Sequence, residues 1–571
     1  MLDTKELVTV ALTLASVTAI AQAWRPDVYP ISYWLGPPDA FLTDKVVGEI
    51  AELDFTVMGN LQTPSVERTR QVLDLAHKHG LRAIVCDGRI TTNLPETEGW
   101  EGAIDAVVKD YADHPALYGY YLRDEPNRAD FPHLAAVEDA FTKRDPAHLP
   151  YINLFPTYAS FEQLGTPSYR DHVQDFMTTV TPRLLSYDHY ALLKTGRDRP
   201  DYFENLDIIR EAALRHGVPF WNTIILAPHF GYRDPTEAEL RWQIATSLAY
   251  GCKGIWYFTF WTHKAWALGE GKGAIYDPEG RKTHHFDQIK RLNHELQTLG
   301  KTLLQLTSVN VYHTPNVPQG ARRLGGDAPV ASATGGDLLI GWLQDAERRD
   351  YLMVVNKDYK AGCEAAIELR GPVRGVHEAS GATGAEMAVQ LADGKPAILA
   401  VSLAPGQGRL FRLDRDIPWA SLPPVLRAFP IRFRDASDAR EWQGLHSVTP
   451  PQAVQGALTF RVTGSDPHLH RSRLRIPANT CPVLVLRMRK EAGTGGQVFW
   501  TTAAEPSFSD KRYMDYETVA DGEFHDIRVP VGKHPGWSGT ITAIRIDPDI
   551  EGRPGGVAIE SIGAEPAKPE K

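Results

Sequence analysis

The chain of 571 residues is predicted to be an α/β protein, a (β/α)8 TIM barrel followed by two all-β sandwich domains. Three observations predict this. Between residues 28 and 299, short apolar runs alternate with amphipathic segments roughly every 30 residues, the pattern of a parallel sheet with crossover helices. After residue 299 the helical period fades and short alternating runs separated by turn residues take over. No Gly-rich phosphate-binding turn follows the first apolar run, which tells against a doubly wound sheet, the runner-up.

The elements follow in order. The first unit is a strand over 28–34 and a helix near 43–53. The second is 55–59, then 65–79, with Gly80 as a stop signal. The third is 81–87 with a helix over 99–112. The fourth strand is the aromatic stretch 118–127, followed by a helix over 131–143. The fifth strand is 150–155. The sixth is 183–190, with a helix near 202–216. The seventh is 218–226. Its helix is expected to open at Asp234-Pro235-Thr236-Glu237, with Asp234 as cap. The eighth is 253–261, and a helix near 284–299 closes the set. Eight units over about 250 residues match one barrel. Residues 24–301 are therefore expected to form the barrel and 302–415 a β-sandwich. A linker over 415–424 leads to a jelly-roll-like sandwich over 425–565, and the Pro- and Lys-rich tail is expected to be disordered. The last domain reads equally as a carbohydrate binder, through Trp500, Trp537 or Tyr513, or as a structural module.

Composition sets outer bounds. Hydrophobic residues make up 43% and charged residues 23%, ordinary for globular protein. A net charge of −10 argues against nucleic acid or an anionic membrane as partner and suits neutral ligands such as sugars. Residues 7–21 are apolar and end in Ala21-Gln22-Ala23, so 1–23 is expected to be a signal peptide and the protein secreted or periplasmic. Asp3 and Glu6 flank Lys5, so the leader lacks a positive start, and a frayed helix is the competing reading. No run reaches the length of a membrane span. The four cysteines, Cys86, Cys252, Cys363 and Cys481, lack CxxC or zinc spacing and are expected to be free thiols. His284-His285 falls at a helix start and is expected at the surface. Neither a metal nor a cofactor is expected, and the sequence leaves the oligomeric state open.

The chemistry concentrates at strand ends, which a barrel gathers on its C-terminal face. The fourth strand ends in Asp124-Glu125-Pro126. An inward Glu125 among aromatic neighbours would have its proton affinity raised by desolvation. Cleavage of a glycosidic bond needs such an acid together with a second, ionised carboxylate. By the alternation of the pleat, Asp124 should point to the other side and bind a sugar hydroxyl or Arg123. Asp188, at the end of the sixth strand, is the first choice for the second carboxylate, and Asp87, at the end of the third, is the next. Asp188 also reads as a structural partner of His189. Trp34, Asn60, Asp87, Arg89, Tyr190, His229 and Trp261 complete the expected substrate-binding set. Trp261 is either an apolar sugar platform or barrel core. There is no GxSxG, HExxH or P-loop.

The barrel resembles the retaining glycoside hydrolases of clan A, whose fourth strand ends in Asn-Glu-Pro with the Glu as general acid/base. Asp124-Glu125-Pro126 matches two of the three positions. Arg233 to Trp261, Tyr276-Asp277-Pro278-Glu279-Gly280 and Asn293-His294-Glu295-Leu296 resemble the end of β-galactosidase-like barrels. The resemblance implies a carbohydrate substrate with Glu125 as acid/base. There are two departures: Asp124 replaces Asn, and the seventh strand, Phe220 to His229, carries no acid where the clan has its nucleophile. Two alternatives therefore stand beside hydrolysis. One is a glycan-binding protein on a glycosidase-like barrel. The other is a polysaccharide lyase with Tyr190 or His189 as base.

Overall fold

The computed structural model describes residues 24–565 except 25, 267, 269–271, 326–327, 371–372, 393–396, 416–430, 434–438, 473 and 475. The expected signal peptide, nearly all of the linker and the tail beyond residue 565 lie outside the described residues. The described residues fall into two compact units, one running to Arg415 and one starting at Ile431.

The first unit contains the barrel. Its strands are β1 (Ile31–Tyr33), β2 (Val57–Leu61), β3 (Arg82–Val85), β4 (Leu117–Asp124), β5 (Leu149–Leu154), β6 (Leu185–Asp188), β7 (Phe220–Ile225) and β8 (Ile255–Phe258). Consecutive strands pair in parallel from β2 to β8, and β8 pairs in parallel with β1. Side chain and backbone together close the β1–β2 seam. The Thr56 N–H donates to the Ile31 carbonyl at 3.1 Å, and the Ile31 N–H donates to Thr56 Oγ1 at 2.9 Å. Gly59 permits this approach, since a Cβ there would stand 1.9 Å from the Tyr33 carbonyl oxygen. The lumen is a packed core, with Tyr151 and Trp256 stacked at 4.7 Å and 7°.

The helices are α1 (Asp44–Glu52), α2 (Val66–Lys78), α3 (Glu101–Tyr111), α4 (Phe131–Arg144), α5 (Phe161–Leu164), α6 (Tyr169–Thr179), α7 (Tyr202–His216), α8 (Glu237–Ala249) and α9 (His285–Gln305). The pair α5 and α6 fills the gap that the periodicity left after the fifth strand. Both carry cap signals. Ser160 and Gln163 form a reciprocal capping box, and Ser168 accepts from the Asp171 N–H. Helix α8 starts later than expected. Thr236 is its cap and Glu239 closes the box, which leaves Asp234 outside the helix.

From Glu239 onward α8 is buried all round apart from Arg241, because the first sandwich covers its outer side. Glycines allow the contact: a Cβ at Gly341 would meet the Ala249 carbonyl at 2.4 Å, and one at Gly406 the Ala238 carbonyl at 2.3 Å. This sandwich pairs a three-stranded with a six-stranded sheet over Thr307–Asp414 and packs within the same unit as the barrel.

The second unit is a sandwich of two six-stranded antiparallel sheets. Trp500 and Trp537 lie in its core with their rings crossed at 5.1 Å, so neither offers a face to a sugar. Tyr513 is half-buried against Phe499 at 5.0 Å. Among the described residues all four cysteines are free, and no helix is long and apolar enough to cross a membrane.

Candidate active site

The site is built at the C-terminal end of β4. Tyr118 belongs to the lumen, Tyr120 packs outward, and Tyr121 turns to the lumen again. Register irregularities against β3 and β5 accompany this break in the alternation. The pleat argument that set Asp124 on the far side therefore fails, because the irregularities bring both Asp124 and Glu125 to the barrel mouth. Glu125 adopts a left-handed φ of 45°, and its N–H donates to the Asn153 carbonyl at 2.8 Å.

A hydrogen-bond relay climbs the lumen to these acids. The Tyr151 hydroxyl bonds Ser186 Oγ at 3.0 Å, and Ser186 Oγ donates to Asn153 Oδ1 at 3.0 Å. The Asn153 amide is thereby oriented with Nδ2 upward. It donates to Asp188 Oδ1 at 3.0 Å and to Asp124 Oδ1 at 3.2 Å. One asparagine from β5 thus couples a carboxylate from β4 to one from β6.

The three acids differ in environment. Asp188 is only 4% exposed, whereas Asp124 and Glu125 are half-buried. Burial pushes Glu125 up to about 7, and the nearby Asp124 charge adds to the effect. Burial also pushes Asp124 up to about 6, opposed by the Asn153 hydrogen bond and the Arg123 charge. Asp188 is driven well above the carboxylate range by burial, then by the Glu125 and Asp124 charges. Near pH 7 this leaves Asp124 mostly ionised and Glu125 sharing its time between the two states, while burial favours the protonated form of Asp188. Carboxylates pushed apart in this way are suited to divided acid and base roles.

Aromatic rings line the β6–β8 side of the mouth. The Tyr190 ring lies 5.1 Å from Phe258 and 5.9 Å from His229, and its hydroxyl feels the Asp188, Asp124 and Glu125 charges. His229 is buried and stacks under the half-exposed Trp266 at 5.0 Å and 21°. Phe230 stands 78% exposed beside it. Tyr158 joins from the β5 side. Its hydroxyl accepts from the Tyr190 N–H at 3.4 Å, and the Arg199 guanidinium lies 3.7 Å over its ring.

The structure thus brings together Asp124, Glu125, Asp188, Tyr190 and His229. Trp34 is linked to them only from below. It is buried, donates to Thr223 Oγ1 at 3.3 Å and meets Tyr121 edge-on at 6.0 Å. Asn60 holds a φ of 46°, and its buried Oδ1 has no hydrogen-bond partner among the described residues. Asp87 and Arg89 engage each other through two side-chain hydrogen bonds of 2.9 and 2.8 Å and a backbone one of 2.9 Å. Arg89 also reaches Asp110 at 2.7 Å, and Tyr111 donates to Asp87 at 3.0 Å. Those bonds pull Asp87 below its ordinary range despite burial, as expected for a carboxylate locked in a structural pair. Trp261 lies buried, stacked on Tyr276 at 5.2 Å and against Phe41 at 4.7 Å, which is the core arrangement of its two readings.

Sequence reasoning did not find Ser186, Tyr158 and Trp266 as site members. Trp266 carried the same signal as Trp261, an aromatic residue after the eighth strand, and lies five positions further along. The fully buried His189 lies among Tyr158 and Tyr202, with Asp201 at 3.6 Å.

No protein-family model and no curated protein matches the chain. Among solved structures, the chain is similar to one described as a glycoside hydrolase, at 12% identity and a TM-score of 0.44, over 69% of this chain and 94% of that one. It is also similar to a family 30 subfamily 8 xylanase from Clostridium acetobutylicum, at 11% identity and a TM-score of 0.37, over 70% and 98%. A third similarity is to a polyextremophilic β-galactosidase from the Antarctic haloarchaeon Halorubrum lacusprofundi, at 13% identity and a TM-score of 0.36, over 47% of this chain and 58% of that one.

Proposed function

We propose that the barrel is a glycoside hydrolase that cleaves O-glycosidic bonds of a polysaccharide or of an oligosaccharide derived from one. The observation that carries this reading is Glu125, a glutamate at a barrel strand end. It is held near neutrality by burial and placed beside an ionisable Asp124 that the Asn153 amide ties to Asp188. Glu125 serves as general acid, giving its proton to the leaving oxygen. Asp124 carries the negative charge that faces the anomeric carbon, where, as the leaving oxygen departs, a water forms the new C–O bond and gives its proton to Asp124 or Asp188. Asp188, the second carboxylate expected from the sequence, is joined to Asp124 through the Asn153 amide. The half-exposed Trp266, carried on His229 and Phe258, gives the apolar face of a sugar a ring to pack on. The apolar leader 7–21 with Ala21-Gln22-Ala23 supports action outside the cytoplasm.

One observation favours a second reading, glycan binding without turnover. Strand β7 and the two residues after it are buried and carry no acid. Elimination by a lyase is less well supported. Tyr190 is driven far above the ordinary tyrosine range, and His189 is fully buried with Asp201 at 3.6 Å. The test is a screen of polysaccharides and aryl glycosides on wild type and Glu125→Gln in parallel. Cleavage by wild type alone supports hydrolysis. Retention of a glycan with no product from either protein moves the binding reading ahead, and ultraviolet-absorbing unsaturated product points to the lyase.

A further inference from the structure

Away from the carboxylates, the segment before α8 and the start of α9 meet in a cluster that the proposed chemistry does not use. His285 is fully buried, contrary to the surface position expected for it. Its Nε2 lies 2.8 Å from Asp234 Oδ1, and its Nδ1 lies 2.9 Å from Gln288 Oε1. His284 stacks beside it with ring centroids 4.0 Å apart and brings its Nε2 to 3.6 Å from Asp234 Oδ2. With Nδ1–H donated to Gln288, the His285 Nε2 lone pair is turned onto an anionic oxygen. That pairing is repulsive unless a proton or a metal cation lies between them.

We infer that Asp234, His284 and His285 form a structural zinc-class site, with water as the fourth ligand. The three candidate ligand atoms all lie within 4.8 Å of one another. A tetrahedral zinc with bonds of about 2 Å separates neighbouring ligand atoms by about 3.3 Å, and the Asp234 carboxylate reaches both histidines, His285 Nε2 at 2.8 Å through Oδ1 and His284 Nε2 at 3.6 Å through Oδ2. Gln288 supplies the outer hydrogen bond that fixes the ring orientation of a metal-bound histidine. Two imidazoles and one carboxylate suit zinc better than calcium or magnesium, which prefer oxygen ligands. The site would clip the β7–α8 segment, which bears His229, Phe230 and Tyr232, to the β8–α9 segment, which bears Trp261 and Trp266.

A second cluster, His446, Asp466 and His468, is less suited. Arg545 holds the Asp466 carboxylate at 2.9 Å, and both histidines turn Nδ1 to the Asp466 carbonyl at 2.9 Å. The test uses the full chain stripped with a chelator and titrated with zinc against a chromophoric competitor, then with cobalt. The expected result is one zinc per chain, intense visible cobalt bands typical of four-coordination, and a melting temperature raised by zinc. His284→Ala leaves the His285–Asp234 contact and the Thr236 cap in place, so it should melt like wild type in chelator. It should nevertheless bind zinc at least about tenfold more weakly, since even outer-sphere changes at metal sites cost that much. The inference is overturned if wild type takes up no zinc, if His284→Ala binds as wild type does, or if His446→Ala rather than His284→Ala abolishes uptake.

Discussion

Replacing Glu125 by Gln keeps the shape of the side chain and removes its proton. At about 7, Glu125 lies well above the ordinary glutamate value of 4.5, and burial is the first cause. That displacement corresponds to about 3 kcal/mol of penalty on the ionised form in the folded state, an upper figure for a half-buried group. The sign follows from proton counting. Between pH 4.5 and 7 the folded chain holds a proton at Glu125 that the unfolded chain has released, so wild-type stability falls as pH rises through this window. Glu125→Gln has no such loss and should be the more stable protein at pH 8, by up to about 3 kcal/mol in denaturant unfolding. Catalysis should move in the opposite direction. Loss of a general acid costs about two to four orders of magnitude in kcat for a poor leaving group, or about 3–5 kcal/mol in the barrier. For an activated aryl glycoside, whose leaving group departs without a proton, the loss should be small. The wild-type kcat/KM should fall above about pH 7, and this limb should vanish in the variant. Equal losses on both leaving groups, or a variant no more stable than wild type at pH 8, would refute the assignment of Glu125 as a buried acid.

Burial favours the protonated form of Asp188, and an amide keeps its shape, so Asp188→Asn should leave thermal stability nearly unchanged and cost less than tenfold in kcat. Asp124→Asn should cost about two orders of magnitude or more; the reverse ranking in steady-state kinetics would make Asp188 the charged catalyst. Trp266→Ala should raise KM several-fold with little change in melting, while Trp261→Ala, which empties a buried stack, should cost about 3–5 kcal/mol of stability. Calorimetry and inhibitor titration on the two variants separate these roles. Arg89→Ala strands Asp87 and Asp110 and should destabilise the unit by about 2 kcal/mol with kcat unchanged. A selective loss of substrate affinity in that variant would instead place Arg89 in the binding site.

The sequence alone determined the barrel and set its candidate acids at the strand ends. Apolar runs at barrel spacing are read directly from composition and period, because burial leaves a one-dimensional trace along the chain. Asp124 and Glu125 were visible for the same reason, as two acids stopping an aromatic strand before a proline. Only the tertiary structure decided which way they face, since irregularities in β4 reset the alternation and depend on its pairing with β3 and β5. The proton affinities also needed three strands at once. Asn153 on β5 joins Asp124 on β4 to Asp188 on β6, and no local pattern encodes a contact between residues about 30 positions apart. Trp261 and Trp266 are alike in sequence. The Tyr276 and Phe41 rings that bury the first arrive from distant segments, and the second is left at the mouth. His285 looked like a surface residue because a helix start usually is one. It is buried, and its ring meets Asp234, which the later Thr236 cap leaves outside α8.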